Sequence, residues 1–290
     1  MTIAQLVPLL LQLSIAAVVI GLALEAGDGD LQSLLRRPGL FLRSVLAMNV
    51  LVPLAATAIA LLFGLRPEVA AGLILLSVAP VPPVLPGKQA KAGGSGSYAI
   101  GLLMAAAVLA IVTVPLSIYL IGKVFGHELH VPAAVIAKVV GFSVILPLLI
   151  GTGLRKLAPG SASKLAKILS RAGFLVLAIG FLAILLKSWQ GLVAQVGDGT
   201  LLAILAWTIV SLVVGHSLGG PDPADRSVLA LASANRHPGV AMAIAGAIVT
   251  AEQKPALSAA VLFCFLVSTL LTGPYVAWRK KSGVTVPSPA

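Results

Sequence analysis

Two basic residues, Lys88 and Arg236, stand where long apolar stretches of the sequence are interrupted. The interruptions are rich in proline and glycine, at Pro80, Pro82, Pro83, Pro86 and Gly87 in the first and at Pro238 and Gly239 in the second. Proline has no backbone N–H and breaks a helix, so each interruption leaves backbone polar groups without helical partners. At membrane depth such groups persist only where they line a protein cavity or a site. A lysine and an arginine at these places predict the binding of an anion.

Three further polar side chains are candidates for the same site. Asn235 and His237 flank Arg236, and Asn49 is a candidate for lining a substrate cavity. The amide of Asn235 can both donate and accept a hydrogen bond. His237 has two interpretations that the sequence does not separate: a functional group, or a hydrogen-bonded core histidine.

The protonation chemistry of the two cations differs. A buried lysine can lose its proton, whereas an arginine stays charged, so Lys88 could take up and release protons and Arg236 could act only as a fixed charge. Alternatively, Lys88 marks the end of a shorter helix and extends its ammonium to the lipid headgroups.

The composition requires a membrane environment. The 290 residues are 59% hydrophobic and 10% charged, with a mean hydropathy of +1.07, whereas soluble domains are about 25% charged. The net charge of +11 comes largely from basic residues in short loops, which is typical of the cytoplasmic loops of membrane proteins and argues against nucleic-acid binding. No nucleophile elbow, HExxH or Walker motif is present, so we expect no enzyme.

The apolar stretches predict an all-α, multi-pass membrane protein of about nine helices, each roughly 20 residues long. The predicted spans are 3–25, 40–63, one from 67 into the first interruption, 98–122, 131–154, 172–188, 200–218, one from 222 through the second interruption to about 250, and 255–278. A basic loop is expected at 155–171 and a disordered tail at 282–290. The basic loops place the N-terminus outside and the C-terminus in the cytoplasm, with the chain in the inner (plasma) membrane.

The two halves of the chain repeat the same order of features. The span that opens at Pro67 and the span that opens at Pro223 each continue as an apolar stretch, an interruption and a further helix. By the predicted topology they begin on opposite sides of the membrane. This pattern indicates an inverted repeat, in which paired interrupted helices form the binding site of a transporter.

The chain resembles the bile acid:sodium symporter family. The resemblance covers nearly the whole sequence and is carried by VLAMNVLVPL at 45–54, PEVAAGLILLSVAP at 67–80 and NRHPGVAMAIA at 235–245. It implies one transporter unit over 1–290, a nine-helix variant with a panel domain and a core domain in which two broken helices cross. We expect the panel at 1–64 and 131–190, and the core at 67–122 and 222–281.

The chain departs from this family where the family binds sodium. The resemblance places the family's sodium-binding positions on Met48, Leu85, Pro86, Ala232 and Arg236. None of these side chains offers the oxygen that a hard cation prefers. We therefore expect no metal and no cofactor, and we hypothesise that Lys88 and Arg236 replace the charge of bound sodium. Burying either cation without compensation would cost about 2.5–3.5 kcal/mol, which argues for a role.

The sequence thus predicts a secondary transporter of a small organic anion that works by alternating access and without sodium. Two alternatives stay open. One is anion symport or exchange coupled to protons through Lys88 or His237. The other is a non-transporting membrane sensor or scaffold in which Lys88 and Arg236 lock the site. The expected partners are the organic anion and the lipid bilayer, while the oligomeric state is left open.

Overall fold

The computed structural model of the chain describes residues 3–27, 29–32, 34–126 and 128–282, and it is helical apart from its connecting turns. The helices are α1 Ile3–Glu25, α2 Pro38–Val45, α3 Val52–Leu62, α4 Pro67–Val78, α5 Leu85–Lys91, α6 Gly96–Val124, α7 Ala133–Val140, α8 Leu146–Leu157, α9 Pro159–Val193, α10 Thr200–Leu218, α11 Pro223–Ala234, α12 Pro238–Ile248, α13 Lys254–Leu271 and α14 Gly273–Lys281. A π-helical segment, π1, joins α2 to α3 at Leu46–Leu51, and another, π2, joins α7 to α8 at Gly141–Ile145. The predicted tail lies, from 283 onward, outside the described residues.

The prediction of an all-α, multi-pass membrane protein is confirmed. Within the described ranges six stretches are long and apolar enough to cross a membrane: Pro38–Leu62, Gly96–Val124, Ala133–Leu157, Pro159–Val193, Thr200–Leu218 and Lys254–Lys281. Leu9–Glu25 and Pro67–Val78 are shorter apolar helices.

Each predicted interruption contains a non-helical segment, residues 79–84 in the first and 235–237 in the second, and its later prolines and glycines begin the next helix. The first separates α4 from α5, and the second separates α11 from α12. Each following helix restarts on a proline in its first turn, Pro86 in α5 and Pro238 in α12. Proline is well tolerated there because the first N–H groups of a helix have no helical acceptor.

The basic loop predicted at 155–171 is wrong. Helix α9 begins at Pro159, so Lys164, Lys167 and Arg171 lie on a helix that starts well before the apolar stretch. Hydropathy marks the part of a helix that lies in the hydrocarbon, not the part that continues through the headgroup region. A proline in the first turn was the available sequence sign of the earlier start.

Two sets of helix contacts bear on the position of the interruptions. Helix α1 packs on α8 and α9, and an added Cβ at Gly151 would lie 2.6 Å from the carbonyl oxygen of Ile20. An added Cβ at Gly173 would lie 2.8 Å from the carbonyl oxygen of Ser14. Glycine thus allows these helices to approach backbone to backbone. In the second set α3 and α13 pack on α4, and α10 packs on α11. Helices α4 and α11 are the ones that lead into the two interruptions.

Candidate functional site

The two interruptions contact each other through the main chain. The backbone N–H of His237 donates a hydrogen bond to the carbonyl oxygen of Pro80 at 2.9 Å. Both residues lie outside regular helix, so neither group has a hydrogen-bond partner within its own helix. The hydrogen bond between them satisfies both groups. This contact brings the predicted site residues of the two halves together.

Arg236 is a buried cation held by main-chain carbonyls. Its side chain is 1% exposed. Nη1 donates to the carbonyl oxygen of Ala79 at 3.3 Å, and Nη2 donates to that of Met48. Nε has no hydrogen-bond partner among the described residues, where no carboxylate lies within ion-pair distance of the guanidinium either. The charge is therefore balanced by peptide dipoles alone, and part of the guanidinium's hydrogen-bonding capacity is unused.

The carbonyl of Met48 is available because of the local sequence. Met48 lies in π1, where the N–H of Val52 bonds to the carbonyl of Ala47. The next backbone nitrogen belongs to Pro53, which has no hydrogen to donate. Met48 thus keeps a free carbonyl inside a continuous helical span, and the guanidinium of Arg236 uses it.

Lys88 is half-buried and points to oxygen atoms of the second half. Its ammonium donates to the carbonyl of Thr269 at 2.8 Å, to the hydroxyl of Thr272, and to Oδ1 of Asn235 at 3.4 Å. The Nδ2 group of Asn235 donates to the carbonyl of Leu231 at 2.8 Å, which turns Oδ1 toward the lysine. Lys88 therefore contacts the second interruption and the end of α13.

His237 connects the second interruption to another helix. Its Nδ1 accepts a hydrogen bond from the N–H of Gly239 at 3.2 Å and caps α12. Its Nε2 lies 3.3 Å from Oγ of Ser143, and that hydroxyl donates to the carbonyl of Val139 at 2.7 Å. This network assigns the ring hydrogen to Nε2, because Nδ1 accepts and the serine hydrogen is already used. The geometry favours the hydrogen-bonded core histidine.

Ser143 is a residue that the sequence prediction missed. It lies in π2, where FSVILPL at 142–148 parallels MNVLVPL at 48–54. In both segments a proline follows the first residue by five positions, and each segment contains a π-helical turn. Both π-helical segments contact the second interruption, through Met48 and through Ser143. This repeated pattern was the available sequence signal.

Asn49 is not brought to the cluster around Arg236. It is partly exposed and lines a narrow cleft with Phe41, Ser44 and Leu102. The cleft holds about 10 Å³, enough for about one water molecule.

A multi-pass helical membrane protein whose two interrupted helices meet has the build of a secondary transporter. The sequence profile of the sodium bile acid symporter family matches residues 8–195, more than half of the chain. The protein therefore belongs to this family of membrane transporters, and the predicted family is confirmed. The match includes Met48, Lys88 and Ser143, while Arg236 lies beyond it. The curated proteins include no significant match.

The residues at the positions that the resemblance assigns to sodium offer no side-chain oxygen to an ion. Met48, Leu85, Pro86 and Ala232 are buried and have no side-chain oxygen. The carbonyl of Met48 already accepts from Arg236. A cation in this place would have to compete with a guanidinium that is part of the chain.

Proposed function

We propose that this protein is a secondary transporter of a small organic anion that works without bound sodium. The observation that carries the proposal is the buried Arg236, which has two carbonyl acceptors and no carboxylate within ion-pair distance in the described part of the chain. A buried charge with unused donors is a natural partner for a carboxylate or sulfonate. The N-terminus of α12, two residues further on, adds a partial positive charge.

Built-in cations would replace the structural role of sodium. A bound ion would hold interrupted helices together by attracting their oxygen atoms. Here Arg236 bridges Met48 and Ala79, and Lys88 bridges Asn235 to the end of α13. Because these charges are covalent, no ion has to bind or leave during the cycle. The gradient of the anion itself would then set the direction of net transport.

Alternating access would move a core against a panel. We place α1 and the helices from α7 to α9 in the panel, and the remaining helices in the core. The span Pro38–Leu62 joins the core in this proposal, unlike the panel expected at 1–64, because α3 packs on α4 and α10. The nine spans, the inverted repeat, the crossing of the interrupted helices and an inner-membrane location with an external N-terminus belong to the same proposal.

The direct test is uptake of carboxylates and sulfonates by proteoliposomes, with sodium replaced by potassium at equal ionic strength. We expect the same initial rate in both salts, and loss of anion-induced thermal stabilisation in Arg236→Gln combined with Lys88→Asn. Strong acceleration by an inward sodium gradient would contradict the proposal. Arg171→Gln, which removes an exposed charge from α9, is the control.

A non-transporting sensor is the second candidate. It is favoured by the closed packing of the site, with Arg236 at 1% exposure and the cleft beside Asn49 at about 10 Å³. Stabilisation by an anion with no flux of any tested anion would support it. Proton coupling through Lys88 would instead appear as anion uptake driven by a pH gradient.

A further inference from the structure

A pocket of about 190 Å³ lies where the start of α2 meets the turn after α10. We call it the arginine pocket and define it by Arg37, Gly39, Arg43, Gly220 and Pro221. None of these residues belongs to either interruption, so the pocket is separate from the proposed transport site. This volume is large enough for several water molecules. That is smaller than the pockets of about 300–1,000 Å³ that hold drug-sized ligands, and is suited to a compact anionic group.

One arginine of the pocket is neutralised and the other is not. Arg37 donates to the buried carboxylate of Asp225 at 2.5 Å. Arg43 is exposed and has no carboxylate within ion-pair distance in the described ranges. Its guanidinium lies beside the turn, where an added Cβ at Gly220 would be 3.4 Å from Nη1. Arg43 is therefore the positive group that the pocket offers to a ligand.

The backbone around the pocket is also suited to an anion. The first N–H groups of α2 have no helical acceptor, and an added Cβ at Gly39 would meet nothing within 4 Å. Across the pocket, Gly220 has a φ of +88°, and its carbonyl accepts from Nε of Arg226 at 2.7 Å. The nearby Asp222 uses Oδ1 to cap α11 through the N–H of Ala224 at 2.8 Å. The turn is thus fixed by its own hydrogen bonds.

The pocket lies at the end of two membrane-crossing stretches. Pro38–Leu62 begins at it, and Thr200–Leu218 ends just before it. We therefore infer that the pocket lies at the depth of the lipid headgroups. Basic pockets between transmembrane helices bind anionic headgroups. We propose that the arginine pocket binds the phosphate of an anionic phospholipid, with the Arg43 guanidinium as its main charge partner.

The test uses the full-length protein in a neutral detergent, exchanged into phosphatidylglycerol or phosphatidylcholine. Native mass spectrometry counts the lipids retained by the wild type, Arg43→Gln and Arg171→Gln. We expect Arg43→Gln to retain phosphatidylglycerol about fivefold less well, with phosphatidylcholine unchanged. Arg171→Gln removes one charge from the exposed part of α9 and should retain lipid as the wild type does. Arg43→Lys, which keeps the charge but not the planar fork, should give an intermediate result.

A second arm separates the two sources of phosphate. Inorganic phosphate is added at constant ionic strength, and thermal unfolding is followed for the same variants. Arg43-dependent stabilisation by inorganic phosphate that equals the effect of phosphatidylglycerol would support the phosphate site and identify free phosphate as its ligand. Equal lipid loss in Arg43→Gln and Arg171→Gln, or no loss in Arg43→Gln, would overturn the proposal.

Discussion

The guanidinium of Arg236 donates a hydrogen bond to the main-chain carbonyl of Met48, a residue 188 positions earlier in the chain. The acceptor exists because Pro53 has no N–H with which to complete the helix. A backbone defect in one span and a buried charge in an interruption of another therefore satisfy each other. The stability of each feature should depend on the presence of the other.

This dependence predicts a thermodynamic coupling between Pro53 and Arg236. In Pro53→Ala the new N–H competes for the carbonyl of Met48, so Arg236 loses an acceptor. In an Arg236→Met background the same N–H satisfies a carbonyl that would otherwise be unpaired. We expect the effects of the two substitutions on the free energy of unfolding to be non-additive by about 1–3 kcal/mol. Thermal or denaturant unfolding of the four proteins in detergent measures this coupling.

Pro115→Ala is the control for this cycle. Pro115 also lies inside a helix, α6, and has no contact with Arg236 that the structure describes. Its substitution should combine additively with Arg236→Met. Additivity of Pro53→Ala with Arg236→Met would show that the π1 carbonyl does not contribute to holding the guanidinium.

Lys88 should depend on the hydroxyl of Thr272. Thr272→Val keeps the side-chain volume and removes one acceptor of the ammonium. Hydrogen bonds to charged groups contribute about 1.5–3 kcal/mol, so we expect a loss of that size in the free energy of unfolding. Thr208→Val is the matched control, because Thr208 is equally buried and bonds only to its own helix at 2.7 Å. The effect of Thr272→Val should nearly vanish in Lys88→Met, and an equal effect in both backgrounds would exclude the contact.

The sequence predicted the helical class and both interruptions, because hydropathy and proline act locally. The apolar residues on both sides of Arg236 indicated that it lies away from a membrane interface, while the sequence left two interpretations of His237 open. It did not predict their partners, because Met48 and Ser143 become acceptors only when distant spans pack together. The proline pattern of the π segments can be read from the sequence. Which backbone carbonyl is left without a helical donor cannot be predicted from the residue types alone. The role of the site in transport stays a prediction.

The hydrogen bond between His237 and Ser143 should affect motion between the proposed core and panel. Ser143→Ala removes the acceptor of Nε2 without touching either cation. A neutral hydrogen bond contributes about 0.5–1.5 kcal/mol, so we expect anion flux to change by about two- to tenfold at unchanged anion affinity. Uptake kinetics in proteoliposomes together with equilibrium binding measure the two quantities.

Thr152→Ala serves as the control for Ser143→Ala. Thr152 lies on the same helical span, and its hydroxyl bonds to the carbonyl of Leu148 at 2.8 Å within that span. Its loss should leave flux unchanged. Equal flux in all three proteins would mean that the contact has no part in the transport cycle.

The pair formed by Arg37 and Asp225 should stabilise the start of α11. Asp225 lies in the first turn of α11, where a negative charge is favourable, and it also forms an ion pair with Arg37 at 2.5 Å. Asp225 is 1% exposed, whereas the side chain of Arg37 is 46% exposed, so solvent weakens the pair. We expect Asp225→Asn to lower the free energy of unfolding by about 1–3 kcal/mol, below the about 3–5 kcal/mol of fully buried pairs.

Asp198→Asn, at a carboxylate that is 71% exposed and 3.5 Å from Arg66, should change stability by less than about 0.5 kcal/mol. Equal effects of the two substitutions would show that burial of Asp225 adds nothing to the pair.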